Sequence, residues 1–228
     1  MKNIFKYLYY MYYRPKIFFP KKTYSMYGED LIIKKFFKKK QKGFYVDVGC
    51  YHPLDGNNTY LLYRKGWTGI NLDINKLSIE LFNAARKEDH NVNVAVSNKS
   101  KKVKIYFRRK INMLNTVDKK FATINFKKGF QTKFINSNTL NSILKRSKFK
   151  NKKIDFLNLD IEGNELNALK SIDFKKYKPK LICVEIHNIE KTHKNYSDYY
   201  KRNLIYKFLN NRGYKLLWKN GFSFIFRK

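Results

Sequence analysis

Acidic residues are scarce in this chain: 17 Asp and Glu stand against 50 Lys and Arg in 228 residues, a formal net charge of +33. Such an excess invites a polyanionic partner through phosphate neutralisation and counterion release. Arginine clusters and a basic tail are missing, however. Lys greatly outnumbers Arg and is spread along the chain, and the accompanying Asn, Ile, Tyr and Phe are what an AT-rich coding bias produces. Nucleic acid is therefore a secondary expectation. Cysteine is nearly absent. Cys50 and Cys183 follow no disulfide or metal spacing, so a reduced, cytoplasmic protein is the simple expectation. No uninterrupted apolar run has the length of a signal or membrane-spanning helix. G-x-G-x-x-G is also lacking, which argues against a nicotinamide dinucleotide site.

What is present suffices for a packed core. Hydrophobic residues make up 43% and aromatic residues 17%, a globular balance, and this length suits one α/β domain. We expect a basic, aromatic segment over residues 1–24 and a domain over 25–228. The segment, closed off by Pro15 and Pro20, suits a short helix over the sheet edge. Its rival role is peripheral membrane contact through residues 1–20, tyrosines at headgroup level and lysines on anionic lipid.

The domain is organised around Gly43 to Pro53. Phe44–Val48 has the β-branched and aromatic content of a buried strand. Gly49 lets the backbone turn at the strand's carboxyl end, where ligands dock in open α/β sheets. Asp47 suits a ligand carrying hydroxyls and a positive charge. The next strand, Gly69–Leu72, delivers Asp73 roughly twenty residues after that turn, the distance at which an acid grips a ribose hydroxyl pair. Two strand-end acids so spaced describe an adenosine site. A third parallel strand over Val92–Ser97 places Ala95 and Ser97 near the adenine. Cys50 reads as a small residue beside the turn rather than a nucleophile.

Elsewhere the pattern predicts a helix over Ser25–Lys40 capped by Ser25, a short helix within Asp55–Lys65, a helix over Ser78–Lys87 and a capped helix from Thr139 to Leu144. Val103–Phe107 suits an extra strand. The apolar strand Ile154–Leu159 runs into Asp160-Ile-Glu-Gly163, where alternation points Asp160 and Glu162 the same way. Buried acids without partners are costly, so this pair calls for an explanation. Strand Lys180–Ile186 hands over to His187 and Asn188, level with Asp160. After a helix over Leu204–Asn211, Asn220-Gly221 signals a hairpin joining Tyr214–Trp218 to Phe222–Phe226.

Together the strings Tyr27-Gly-Glu-Asp30, Gly43-Phe-Tyr-Val-Asp-Val-Gly49, His52-Pro53, Asn58-Thr-Tyr60, Gly66-Trp67, Ile154-Asp-Phe-Leu157 and Asp160-Ile-Glu-Gly163 resemble the FkbM family of S-adenosylmethionine-dependent methyltransferases, over about Tyr24 to Lys228. The resemblance implies a Rossmann-like class I fold: a mostly parallel seven-stranded sheet, an antiparallel C-terminal hairpin and helices on both faces. It implies S-adenosyl-L-methionine as cofactor, with Asp47, Gly49, Tyr51, His52, Asp73, Ala95 and Ser97 as its binding residues. Tyr51 and Pro53 stand where the wider methyltransferase pattern has further glycines. The irregular stretch 101–133 is then the part that bears on the acceptor, a sugar hydroxyl of a glycan or polysaccharide precursor. Asp160 or His187 is the candidate base, and Glu162 orients the acceptor or the donor's amino group. No metal is assigned. A cation that assisted would find Asp160, Glu162 and Glu185 as hard ligands. The rival readings are RNA ribose 2′-O-methylation and a non-catalytic basic binding module on the same scaffold.

Overall fold

The computed structural model describes residues 2–12, 21–187 and 199–228; Pro15, Pro20 and Asn188 lie outside the described residues. In chain order the helices are α1 (Lys2–Tyr12), α2 (Glu29–Phe36), α3 (Tyr60–Arg64), α4 (Lys76–Ala85), α5 (Lys119–Asn125), α6 (Leu140–Arg146), α7 (Glu165–Lys170), α8 (Phe174–Tyr177) and α9 (Leu204–Asn210). The strands are β1 (Phe44–Val48), β2 (Thr68–Asp73), β3 (His90–Asn93), β4 (Ala95–Val96), β5 (Lys101–Phe107), β6 (Gln131–Asn138), β7 (Phe156–Leu159), β8 (Leu181–Glu185), β9 (Lys215–Asn220) and β10 (Ser223–Arg227).

Seven strands form a mixed sheet in the order β3-β2-β1-β7-β8-β10-β9. Pairing is parallel from β3 to β8, and β10 runs antiparallel to both β8 and β9. Every residue of β1 is buried, as a central parallel strand covered on both faces requires. Phe44, Val46 and Val48 face one core with Leu144, Leu169 and Leu209 of α6, α7 and α9. Tyr45, on the opposite side, packs with Ile33 of α2, Leu62 of α3 and Trp67. Helices thus cover both faces.

The expected third strand over Val92–Ser97 is corrected. β3 ends at Asn93, the Val94 N–H donates to the Asp73 carbonyl, and Ala95–Val96 cross into a second sheet, β4-β6-β5, beside Ser137 and Asn138. The hairpin also shifts by one residue. Ser223 pairs with Asn220, so the two-residue loop is Gly221-Phe222, with Gly221 supplying the positive φ of 56° at its first position. Ser25 is not the cap of α2. Gly28 occupies that position, while the Thr23 and Ser25 hydroxyls donate to Asp30, and Glu29 accepts from the Tyr27 N–H and the Ser223 hydroxyl. Glu29 and Asp30 are therefore buried, bonded structural acids. Thr139 does cap α6, its hydroxyl accepting from the Ser142 N–H.

Helix α1 packs on α4. Met11 is buried and Lys6 pairs with Glu80 at 3.6 Å, while Phe5, Leu8, Tyr9 and Tyr12 face outward. Among the described residues no helix is long and apolar enough to cross a membrane.

Beneath the loop after β1 lies a fully buried cation. Arg86 donates to the Tyr45 and Thr59 hydroxyls, the Pro53 carbonyl and Asn57 Oδ1, and stacks 4.7 Å from the Phe82 ring. Removing it takes a donor from four buried acceptors, the Pro53 carbonyl among them, and opens a cavity. Arg86→Ala is expected to lower the unfolding free energy by about 3–5 kcal/mol in chemical denaturation. A loss below about 1 kcal/mol would show that other contacts fix this loop.

Candidate functional site

The parallel strands β1, β2, β7 and β8 all end on one edge, and the polar residues of interest follow those ends. Backbone geometry there is specialised. The Gly49 N–H donates to the Leu72 carbonyl at 2.8 Å, Gly49 has φ 82°, and Tyr51 follows with φ 54°. Asp73, at the end of β2, accepts from the Tyr51 N–H (2.8 Å) and the Asn75 N–H (2.7 Å), so it ties the turn to the start of α4. Burial pushes Asp73 up to about 6, against these two donors; Asp47 adds to the rise and Lys133 opposes it. Gly49, Tyr51, Asp73 and Ala95 line a narrow hollow of about 40 Å³, together with Asn112, Asn115 and Asn164.

The structure places three other expected ligands elsewhere. Asp47 is fully buried on the far face of β1, where Asn158 Nδ2 (2.9 Å), Thr59 Oγ1 (2.8 Å) and Asn57 Nδ2 (3.1 Å) all donate to it. It borders a separate void of about 20 Å³ and does not line the hollow. His52 is buried beneath α1, with Nε2 3.1 Å from the Tyr10 carbonyl and Nδ1 accepting from the Leu54 N–H. Ser97 lies beyond the hollow, its N–H bonded to Asn138, because the chain has already left the main sheet. Cys50 and Cys183 are buried free thiols whose pKa values burial raises well above the usual.

The second half of the site forms where β7 and β8 end. Asp160, Glu162, Glu185 and His187 all line a cleft of about 960 Å³, with Tyr27, Tyr51, Phe121 and Phe222 among its aromatic walls. Glu162 has φ 56° and Gly163 φ 103°. This unusual turn is held from several sides: Glu165 accepts from the Ile161 and Gly163 N–H groups, and the Thr116 hydroxyl donates to the Glu162 carbonyl. Burial raises Glu165 to about 7. His187 Nε2 lies 2.9 Å from Glu185 Oε2 and 3.3 Å from Glu162 Oε2, and its ring is flanked by Phe121 and Phe222. Burial pulls His187 down, but the two carboxylates outweigh it and hold the imidazole up to about 10. Burial, then Glu185 and Glu162, push Asp160 well above the usual carboxylate range. Hollow and cleft share four lining residues: Tyr51, Asn112, Met113 and Asp160.

Asn112, Met113 and Asn115 carried no local signal in the sequence. They belong to the loop between β5 and α5, which tertiary contacts alone bring over the hollow. Glu185 was readable as the last residue of an apolar strand, and β8 sets it beside His187.

Compared with known proteins, the chain matches the family described as the methyltransferase FkbM domain over residues 47–216. No curated protein and no solved structure matches it.

Proposed function

The chain belongs to the FkbM methyltransferase family, and on that premise we propose that it transfers the methyl group of S-adenosyl-L-methionine to a hydroxyl, that of a sugar in a glycan or polysaccharide precursor. The observation that carries the reading is Asp160, which lines both hollow and cleft. The strand order, with its antiparallel β10, supports a class I methyltransferase architecture.

The hollow fits an adenosyl group in chemistry. Asp73 offers a carboxylate to ribose hydroxyls, Val94, Ala95 and Val96 are aliphatic walls for a base, and Asn115 Oδ1, buried with no hydrogen-bond partner, suits an exocyclic amine. In size it falls short of ordinary ligand pockets, which begin at about 300 Å³. Seating the donor therefore requires the walls of the hollow to move apart. When bound, the donor supplies a methyl group on a positively charged sulfur, already activated for transfer. The chain's residues supply the rest. Walls shared by hollow and cleft orient the acceptor oxygen, Asp160 takes its proton, and Glu162 orients it. The aromatic walls offer faces to sugar C–H groups, while Arg109 and Lys120 offer charge to an acidic substituent.

Calorimetry tests the cofactor directly. Wild type is expected to bind S-adenosyl-L-methionine saturably, and Asp73→Ala at least about tenfold more weakly, as the loss of a charge-assisted pair implies. The pH dependence follows from the sign of the Asp73 shift. The ionised carboxylate is the better acceptor for ribose hydroxyls and predominates above about 6, so affinity is high at pH 7 and falls as pH drops through 6. One proton of linkage makes binding about tenfold weaker at pH 5. Tritiated methyl from the donor, incubated with fractionated cell extract, is expected in the glycan fraction. Label in RNA would move the acceptor to a ribose hydroxyl; no donor binding by wild type would leave a non-catalytic basic scaffold.

A further inference from the structure

We infer that Glu162, Glu185 and His187 bind one divalent cation at the floor of the cleft, open on the cleft side to the acceptor hydroxyl; its catalytic role rests on the hydroxyl-methylation reading above. One ligand atom from each of the three residues lies within 4.8 Å of the other two. His187 Nε2 stands 2.9 Å from Glu185 Oε2 and 3.3 Å from Glu162 Oε2. Metal bonds of about 2.1 Å meeting at right angles set neighbouring ligand atoms roughly 3.0 Å apart, so these separations suit a shared cation.

An imidazolium bridging two carboxylates gives similar distances, and hydrogen bonding separates the two readings. Nε2 carries a single hydrogen and lies nearer Glu185 (2.9 Å) than Glu162 (3.3 Å), so it cannot serve both carboxylates fully. Glu162 is 5% exposed, and its Oε2 is buried with no hydrogen-bond partner. A carboxylate oxygen withdrawn from water without a partner is costly. The chain has 50 Lys and Arg, yet among the described residues the ion pairs of Glu162 and Glu185 are with His187 alone. A cation beside Nε2 would take the place of its proton, which leaves to solvent, and would engage Glu162 Oε2 as well. One imidazole with two carboxylates is a donor set for Mn²⁺ or Mg²⁺, with water or substrate completing the shell.

Asp160 lies outside the trio and lines the same cleft, within reach of an acceptor hydroxyl held there. An acceptor hydroxyl bound to the cation is more acidic. Its O–H bond breaks with the proton passing to Asp160, the O–CH₃ bond forms, and the S–CH₃ bond breaks with its electron pair remaining on sulfur.

The test uses the purified full chain and Mn²⁺ alone, with free Mn²⁺ read by electron paramagnetic resonance. One Mn²⁺ per chain is expected, displaced by excess Mg²⁺ and weakened at least about tenfold in Glu162→Gln and in Glu185→Gln. Donor affinity, measured separately by calorimetry, is expected to change less than about twofold in the same variants. A wild-type chain without stoichiometric Mn²⁺, or binding undiminished in both variants, overturns the site. Should either variant fail to fold, a wild-type melting temperature that Mn²⁺ does not raise also overturns it. Mn²⁺ binding without donor binding keeps the cation site and removes the transferase reading; donor binding without Mn²⁺ does the reverse.

Discussion

An Asp160→Asn chain is expected to bind donor like the wild type and to transfer methyl at least about a hundredfold more slowly. Position singles this residue out. Of the four side chains that line both hollow and cleft, Asn112 and Met113 accept no proton, and Tyr51 is a phenol rather than a carboxylate. On the proposed reading that leaves Asp160 as the group to take the hydroxyl proton. Asn keeps nearly the same shape and hydrogen-bonding reach, so the loss falls on the chemical step rather than on binding. Single-turnover label transfer beside a calorimetric donor titration makes the separation. Full turnover in the variant would move the base elsewhere in the cleft.

Gly49→Ala is expected to cost both folding and donor binding. A Cβ at Gly49 would stand 1.7 Å from the Asp160 carbonyl oxygen, and the backbone there has φ 82°. Side-chain flexibility offers no relief, because the obstacle is main chain: the Asp160 N–H is bonded to the Val48 carbonyl at 2.9 Å. The ends of β1 and β7 must separate, and a displacement of about 1 Å at a reacting group can cost a hundredfold in rate. Gly66 provides the control. Its φ is 84° with nothing near the site of an added Cβ, so Gly66→Ala carries only the conformational penalty of about 1 kcal/mol. Denaturation and donor titration of the two variants isolate the overlap. If Gly49→Ala proves no worse than Gly66→Ala, the two strand ends are more yielding than the geometry indicates.

The sheet was legible wherever one face or both were uniformly apolar, as in β1, β7 and β8. The Asp73 position was legible because strand length and the glycine turn fix which residue stands at the edge. Asp47 shows where such reading stops. An Asp two residues before a turn glycine has the same local spacing whether it meets a ligand or a buried amide, and its partners Asn57, Thr59 and Asn158 are chosen by the fold. His52 depends likewise on where α1 packs. Ser97 was misplaced because alternation in Val92–Ser97 carries no mark of the change of sheet at Val94. Asn115 sits in a basic, Asn-rich stretch with no periodicity, and only its orphaned oxygen in the hollow distinguishes it.

The bonded position of Asp47 has a consequence for how the strands find one another. Asn91, Asn71, Asp47 and Asn158 stand side by side on four adjacent parallel strands, and amide or carboxylate bonds join two of the three neighbouring pairs. Sliding any one strand by a single residue would turn its polar member to the opposite face, among Val46, Ile70, Leu72 and Leu157. Each misalignment would strand an amide or a charge in hydrocarbon. This row works as an alignment key: in the correct pairing of the central strands each of the four side chains keeps at least one hydrogen-bond partner.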